Sequence, residues 1–130
     1  MEFKSNFKVY YEDTDSGGVV YYANYLKFLE RARTDAITSL DFSNNKLINK
    51  FGIYIIVKSC NLNFLKPAKL EDNINIISKV LEVKNVSIRM KQNIFVDDKM
   101  ILEAEIILAS VNKEGKPSKL PDEFKKQLIK

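Results

Sequence analysis

The chain of 130 residues contains no histidine, no tryptophan and a single cysteine. The absence of histidine excludes every catalytic triad that uses imidazole as the base, and every zinc site with a histidine ligand. The lone Cys60 makes neither an internal disulfide nor a thiolate zinc site, and its place inside a predicted strand favours a buried, unreactive thiol. Any chemistry must therefore come from carboxylates, lysines, tyrosines and backbone amides.

Long apolar runs are also missing. The longest, residues 19–26 and 52–57, are far too short to cross a bilayer. The N-terminal residues show no basic-then-apolar leader, so we expect no membrane span, no signal peptide and a cytoplasmic location. At this length we expect one domain, residues 1–130, with one core.

The positive charge is dispersed. The net charge is +4, but the lysines are scattered along the chain instead of forming one dense block. This distribution gives little support to nucleic-acid binding, so we expect no nucleic-acid partner. A phosphate-bearing small ligand or an acidic carrier protein fits the charge equally well.

The periodicity of apolar residues predicts an α+β fold. Residues 3–11 alternate as in a strand, and Asn24 is a fitting N-cap for a helix. The buried face of the strand is predicted to carry Phe7, Val9 and Tyr11, and that of the helix Tyr25, Phe28, Leu29, Ala32, Ala36, Ile37 and Leu40. Residues 41–51 are compatible with a turn or a short second helix.

Four further strands are predicted, at residues 53–64, 73–83, 87–96 and 100–112, followed by a short helix near Pro121. Each strand exceeds the mean strand length, so we expect curvature or bulges. Asp97-Asp98-Lys99 predicts a tight hairpin turn between the last two. The order predicts a curved antiparallel five-stranded sheet wrapped around one long helix.

A polar loop, residues 13–18, joins the first strand to the long helix and ends in two glycines, which permit left-handed backbone or close approach of a ligand. Asp13 and Asp15 both suit turns in which a carboxylate accepts from a nearby amide, and for Asp13 we favour that structural role. Their spacing also resembles the start of an EF-hand calcium loop. The twelfth position is Asn24, where a bidentate glutamate is required, so we predict no metal site.

Residues 11–25 (YEDTDSGGVVYYANY) and 28–33 (FLERAR) resemble the signature of the hotdog-fold acyl-CoA thioesterases. The resemblance is to the 4-hydroxybenzoyl-CoA thioesterase type and to the acyl-CoA thioesterases associated with the Tol-Pal system, and it covers nearly the whole chain. It implies a hotdog fold and hydrolysis of an acyl-CoA to free acid and coenzyme A, without a metal or redox cofactor. It also implies a homo-oligomer, dimer or tetramer, with sites between subunits.

The resemblance assigns catalysis to Asp15, the second acid of the Asp-x-Asp-x-x-Gly segment that ends at Gly18. Attack by this carboxylate and activation of water by it need the same group in the same place, so both routes stay open. The oxyanion donor corresponds to the backbone N–H of Tyr54. Tyr22 stands where the benzoyl-CoA enzymes have tyrosine and the Tol-Pal enzymes usually have histidine, and we expect it to position the substrate.

Further candidates belong to the helix and to a basic rim. Glu30 is the backup catalytic acid, because another branch of hotdog thioesterases uses a carboxylate of the central helix. Tyr21 and Tyr25 are predicted to contact the acyl group, although core packing explains them as well. Coenzyme A phosphates are predicted to meet basic residues of the strands, of which Lys58, Lys84 and Arg89 are the chosen candidates and Lys91 a further one.

Two alternatives to an acyl-CoA thioesterase remain. An acyl-carrier-protein thioesterase is favoured by the basic charge, because carrier proteins are acidic. A non-catalytic hotdog partner protein would keep the fold without the reaction. A hotdog dehydratase is disfavoured because the dehydratases of this kind use a catalytic histidine, which the chain lacks.

Overall fold

The computed structural model describes all residues, 1–130, as five strands and three α-helices. In chain order the elements are β1 Glu2–Lys8, α1 Asn24–Ser39, α2 Asn44–Phe51, β2 Tyr54–Phe64, β3 Asn73–Val83, β4 Ser87–Val96, β5 Lys99–Val111 and α3 Asp122–Leu128. The predicted strands and long helix are present, and the undecided stretch before Gly52 is the helix α2. No helix combines the length and apolar character that a membrane span needs.

The strands form one antiparallel sheet in the order β1-β3-β4-β5-β2, so β1 and β2 are its edges. The pairing shifts register where Lys58, Leu81 and Ile101 are the extra residues. Such bulges bend a strand and increase its twist, which lets the sheet curve. The predicted curvature and the predicted hairpin turn are thus present, since Asp97 and Asp98 both adopt positive φ between paired Val96 and Lys99.

Helix α1 packs on the concave side of the sheet. Its buried residues are Tyr25, Phe28, Leu29, Ala32 and Ala36, with Ile37 and Leu40 packed at the margin of the core. They meet inward side chains of the central strands, among them Ile74, Ile76, Met90, Ile94, Ile106 and Leu108. Burying a side chain such as Phe28 contributes about 1.5–3 kcal/mol, so this face fixes the helix to the sheet.

Three local predictions are wrong. Strand β1 ends at Lys8 and not at Tyr11, because Tyr11–Asp13 form a 3-10 turn in which Tyr11 is 81% exposed. Asn24 is the first residue of α1 and not its N-cap, because Ala23 before it is already helical. Cys60 is exposed, because it lies on the edge strand β2, beyond the part of the sheet that α1 covers.

Helix α2 begins and ends with the expected chemistry. The Ser43 hydroxyl accepts a hydrogen bond from the Lys46 amide at 2.9 Å, and Gly52 closes the helix with φ of 67°. Behind it, Phe42 packs on Phe124 of α3 with ring centroids 5.0 Å apart. These two short helices close one end of the sheet and leave the other end to the loop between β1 and α1.

Candidate active site

The loop after β1 is a narrow two-stranded ribbon. Thr14 bridges to Val20, and the Asp15 amide donates to the Val19 carbonyl at 2.9 Å. The ribbon turns at Gly18, whose φ is 79° and whose amide donates to the Asp15 carbonyl at 3.1 Å. An L-residue adopts this conformation only with strain, so the turn that presents Asp15 depends on this glycine.

The ribbon is fixed on two sides. On one side, the Asp13 carbonyl accepts hydrogen bonds from the Tyr21 amide at 3.0 Å and from the Asn24 side chain at 2.9 Å, which joins the ribbon to the head of α1. On the other side, the Val20 amide donates to the Ala68 carbonyl at 2.8 Å, and Val19 bridges to Lys69. The loop therefore lies between the head of α1 and the β2–β3 connection and is hydrogen-bonded to both.

The two aspartates of the ribbon have different surroundings. Asp13 is 6% exposed, and its Oδ2 accepts a hydrogen bond from the Tyr10 amide at 2.9 Å. Asp15 is exposed, and its Oδ1 accepts from the Gly17 amide at 2.8 Å, two residues on. No hydrogen bond from the chain reaches Oδ2 of Asp15, so one carboxylate oxygen is free to meet a substrate or a water.

Unpaired backbone donors lie at the head of α1. The N–H groups of Tyr22 and Ala23 donate to no backbone carbonyl, whereas the next amide, of Asn24, donates to the Tyr21 carbonyl at 2.8 Å. Amides at a helix N-terminus carry the positive end of the helix dipole and stabilise negative charge. The sequence analysis did not single these amides out, because backbone groups cannot be recognised from residue type. The predicted start of the helix was the one feature that could have indicated them.

Tyr21 and Tyr22 stand beside these amides as an exposed aromatic pair. Their ring centroids are 4.8 Å apart, and Tyr22 is 63% exposed. A hydrogen bond to Tyr22, together with repulsion between the two phenolates, raises the pKa of Tyr21. The Tyr21 phenol therefore holds its proton more tightly than a free tyrosine does, through its contact with Tyr22.

Tyr25 lies inside the protein. It is 3% exposed, its hydroxyl accepts a hydrogen bond from the Ala68 amide at 2.9 Å, and its ring packs on Phe64 at 5.7 Å. Burial raises the pKa of its phenol above the usual value. Tyr25 therefore anchors the β2–β3 connection to α1. A substrate contact by this residue stays a prediction.

The other predicted site residues do not gather around Asp15 within one chain. Tyr54 begins β2, and Phe64, which packs on Tyr25, ends it; the 11 residues of the strand span about 33 Å. Lys84 and Arg89 also lie at the Tyr54 end of the sheet, where each contacts a carboxylate, Glu82 at 3.7 Å and Glu105 at 3.1 Å. Lys58 is the bulge residue in the middle of β2.

The two remaining candidates, Glu30 and Lys91, are both exposed to solvent. Glu30 is exposed on α1, and its carboxylate accepts a hydrogen bond from the Thr34 hydroxyl at 3.1 Å. Lys91 is exposed on β4, in register with Glu105. No group of three or more histidine, cysteine or acidic residues lies close enough together to hold a metal ion, so Asp13 and Asp15 find no third ligand of these types.

A buried polar network crosses the core beneath α1 and was missed by sequence reasoning. Gln92 is fully buried and donates to the Leu29 carbonyl at 3.1 Å and to the Ser78 hydroxyl at 2.9 Å. Its carbonyl accepts from the Arg33 guanidinium at 3.0 Å, and burial lowers the pKa of Arg33. The sequence did contain a signal for it, because Gln92 lies two residues from both Met90 and Ile94 and therefore shares their inward face of β4.

The curved antiparallel sheet, the central helix and the acidic loop define the hotdog class of folds. The predicted hotdog fold is confirmed by solved structures of this class. A probable thioesterase from Bartonella henselae superposes with a TM-score of 0.88 at 31% identity, covering 93% of this chain and all of that one.

Sequence comparisons agree. The family model described as the thioesterase-like superfamily matches residues 9–128. An acyl-CoA thioesterase YbgC of Haemophilus influenzae is 38% identical over 119 residues, covering 91% of this chain and 88% of that protein. The YbgC acyl-CoA thioesterase of Helicobacter pylori is 36% identical over 132 residues, covering 93% and 96%. The chain belongs to the thioesterase-like superfamily, on the branch that includes these YbgC proteins, as its loop motif predicted.

Proposed function

We propose that the chain is an acyl-CoA thioesterase, which hydrolyses an acyl-CoA to the free acid and coenzyme A. The observation that supports this most is the 38% identity to the Haemophilus influenzae enzyme over nine-tenths of the chain. The loop adds a carboxylate with one free oxygen, and the head of the helix that follows it adds two unpaired amides. Thioester hydrolysis needs these two groups, a base or nucleophile at the carbonyl carbon and donors at the carbonyl oxygen.

The free oxygen of Asp15 acts in one of two ways. It attacks the thioester carbon to give an acyl anhydride that water then opens, or it removes a proton from the water that attacks. In both routes the carbon–sulfur bond breaks, water supplies the oxygen of the new carboxylic acid, and the sulfur leaves with a proton as coenzyme A. The hydrogen bond from the Gly17 amide orients the carboxylate and leaves its second oxygen for the reaction.

The Tyr22 and Ala23 amides stabilise the oxygen on which negative charge develops. They belong to the same chain as Asp15, they have no backbone acceptor, and the dipole of α1 adds to their effect. The Tyr54 amide predicted from the sequence lies about one strand length away in the same chain, so it requires a second copy. The Tyr22 hydroxyl remains exposed beside the loop and positions the acyl group or its leaving thiol.

A second copy is part of the proposal. The inward side of β2 carries Ile55, Val57, Cys60, Leu62 and Phe64, which α1 leaves exposed or half-buried. An open edge strand with an apolar face invites pairing with its own copy around a two-fold axis. Antiparallel pairing of two β2 strands brings Tyr54 of the partner subunit to the Phe64 end, next to Tyr25, and two such dimers make a tetramer.

The remaining features follow from the same proposal. The enzyme works in the cytoplasm as a single domain spanning residues 1–130, without a metal or redox cofactor. A second candidate function, hydrolysis of acyl groups on an acyl carrier protein, is favoured by the net charge of +4. Parallel assays with the same acyl group on coenzyme A and on the carrier protein distinguish the two.

The decisive test is a hydrolysis assay on the Asp15→Asn variant across acyl-CoA chain lengths. The amide keeps the size and the Gly17 contact but provides neither a base nor a nucleophile, so we expect kcat to fall by about 10²–10⁴-fold. Glu12→Gln is the matched control, because Glu12 is an exposed acid of the same loop with no hydrogen bond. Near-normal activity of Asp15→Asn, or an equal loss in Glu30→Gln, would refute the assignment of Asp15.

Oligomeric state is tested separately by sedimentation of the active enzyme. We expect a dimer or tetramer that persists under assay conditions. A fully active monomer would refute the paired-β2 arrangement while leaving the role of Asp15 untouched.

A further inference from the structure

One side of helix α1 runs along the edge strand β2 and carries two charged residues between two apolar ones. These residues follow at intervals of four, three and four positions, which places them in one row on a helix: Leu26, Glu30, Arg33 and Ile37. Three of them line a depression of about 70 Å³ whose opposite wall includes Ile55 and Val57 of β2. This row, the β2-facing row, therefore borders the open edge of the sheet.

The two charges of the β2-facing row have no ion-pair partner within the chain. The Glu30 carboxylate accepts one hydrogen bond, from the Thr34 hydroxyl, through Oε1. The Arg33 guanidinium donates one, to the Gln92 carbonyl oxygen at 3.0 Å, and the salt bridges of the chain all join other residues. A guanidinium has five N–H donors in a plane that matches a carboxylate. Both groups are therefore free to form an ion pair with a group outside the chain.

The order of residues in the β2-facing row is self-complementary about a two-fold axis. The midpoint between positions 30 and 33 is also the midpoint between positions 26 and 37. A second α1 that runs antiparallel about this midpoint sets Glu30 opposite Arg33 of the partner subunit, and Leu26 opposite the partner's Ile37. Each charge then meets the opposite charge and each apolar residue meets an apolar one, as an interface between identical patches requires.

The same two-fold axis suits the pairing of two β2 strands. Antiparallel pairing along the whole strand places the axis at Ser59, the middle of its 11 residues. Within the chain, Tyr25 of α1 packs on Phe64 at one end of β2, and Ile37 and Ile55 line one depression near its other end. The midpoint of the β2-facing row therefore lies over the middle of β2, so one axis serves the strands and the helices.

The apolar face of β2 does not by itself fix the register of the pair. A slip of two residues keeps every side chain on its face and replaces apolar contacts by other apolar contacts. It displaces the partner by about 7 Å. Such a slip would separate the facing charges of the two helices and would move the Tyr54 amide of the partner subunit away from Asp15.

We propose that Glu30 and Arg33 form two symmetric ion pairs with the partner's Arg33 and the partner's Glu30. These pairs select the register in which the partner's Tyr54 amide reaches the site at Asp15. Glu30 and Arg33 are thus positioning residues that take no part in the chemistry. The proposal rests on the proposed acyl-CoA hydrolysis by paired copies, and it gives α1 a part in a pairing otherwise carried by β2.

The test mixes two charge-reversal variants, Glu30→Arg and Arg33→Glu. In a dimer of either variant alone, both contacts between the helices join like charges, whereas in a mixed dimer both join opposite charges. If each like-charge dimer is about tenfold weaker than the mixed one, about nine-tenths of the dimers should be mixed after subunit exchange, against one half by chance. Native mass spectrometry of differently tagged chains measures this fraction. A pair formed within one helix would give no such preference.

The matched control mixes Asp35→Arg with Arg31→Glu. These variants make the same charge changes on another side of α1, where Arg31 lies over the Phe28 ring, away from β2. One half of the control dimers should be mixed. Equal enrichment in the control would show a general attraction between oppositely charged chains and overturn the proposal, as would a fraction of one half for Glu30→Arg with Arg33→Glu.

Activity tests the link to the site. The mixture of Glu30→Arg and Arg33→Glu should hydrolyse acyl-CoA with a kcat/KM at least about tenfold above that of either variant alone, because the mixed dimer regains the register. Enrichment of mixed dimers without any gain in activity would refute the positioning role.

A second measurement needs only the exposed Glu30 and does not depend on hydrolysis. Arg33→Glu places an acid beside the buried Gln92, and thermal unfolding checks whether that variant folds. Sedimentation of Glu30→Arg should show a dimer that tightens as salt screens the new repulsion, whereas the wild-type dimer should loosen. The same salt response in both proteins would reject the ion pairs. If the wild-type protein hydrolyses no acyl-CoA, the proposed function fails, and sedimentation still decides the ion pairs.

Discussion

The two ends of the sheet differ in what closes them: two short helices at one end and the acidic loop at the other. At the end closed by α2 and α3, Lys84 contacts Glu82, the Asn85 carbonyl accepts a hydrogen bond from the Leu120 amide, and Phe42 packs on Phe124. At the loop end, a carboxylate oxygen of Asp15 and the backbone amides of Tyr22 and Ala23 have no hydrogen-bond partner within the chain. Unpaired groups held in place by a paired scaffold are what a binding site requires, so the difference marks the functional end of the molecule.

The loop end still has its own rigid frame. Asp13 is buried beneath the ribbon, Asn24 ties the ribbon to α1, and Tyr25 ties the β2–β3 connection to the helix. Each of these residues is near an exposed candidate for function but has a side-chain polar atom hydrogen-bonded to the backbone. The chain therefore separates residues that build the site from residues that face the substrate, at spacings as short as two positions.

The largest expected effect tests the structural role of the end of the sheet that α2 and α3 close. Phe124→Ala removes a ring that is 1% exposed and packs on Phe42, so it should lower the free energy of unfolding by about 3–5 kcal/mol. Denaturant unfolding measures this loss. Because Phe124 is buried in the core and remote from the loop of its own chain, KM and kcat of the folded fraction should be unchanged. A selective change in KM would contradict a purely structural role for this end.

The next effect concerns the frame of the loop end. Tyr25→Phe keeps the buried ring but leaves the Ala68 amide without its acceptor at a fully buried position, so stability should fall by about 1–3 kcal/mol. In contrast to Phe124→Ala, this variant should also raise KM, because Ala68 and Lys69 of the β2–β3 connection pair with Val20 and Val19 of the catalytic loop. Unfolding and hydrolysis measured on the same preparation check both parts; a change in stability alone would separate the connection from substrate binding.

A smaller effect is expected at the exposed tyrosine of the loop end. Tyr22→Phe deletes a hydroxyl of a side chain that is 63% exposed, so the free energy of unfolding should hardly change. The loss of one hydrogen bond to the substrate should reduce kcat/KM by about two- to tenfold. The matched variant is Tyr10→Phe, another exposed phenol before the loop. Equal rates in wild type and Tyr22→Phe would assign Tyr22 to packing alone.

The smallest effect is a pH dependence at alkaline values. The buried Tyr25 phenol has a pKa raised above its unfolded value of 10.0, so the folded state holds this proton more tightly. Its contribution to stability is complete below pH 10 and is lost as the pH rises through the higher folded pKa. The unfolding temperature of the wild-type protein should fall above pH 10 more steeply than that of Tyr25→Phe. Parallel curves for the two proteins would show that the Tyr25 phenol is not the cause of the pH dependence.

The sequence predicted well the features that depend on local period. The bounds of β3 and β4 match the predicted 73–83 and 87–96, since apolar alternation and the turns at Lys84-Asn85 and Asp97-Asp98 are local signals. The five buried positions of α1 follow from a period of 3.6 residues. The prediction for Cys60 was wrong because alternation shows which side of a strand a residue faces, and not whether that side is covered.

Local patterns in the sequence were enough to predict the secondary-structure elements, the acidic loop with its glycine turn and, through the loop motif, the family. Only the folded chain shows which end of the sheet each charged residue occupies and which of the two loop acids is buried. Strand order places Lys99 of β5 opposite Lys66 and Lys69, and it places Lys84, Arg89 and Tyr54 at the far end. These neighbours are tens of positions apart in the sequence. Their proximity depends on the order of the strands, which the packing of the shared core sets and local sequence signals do not reveal.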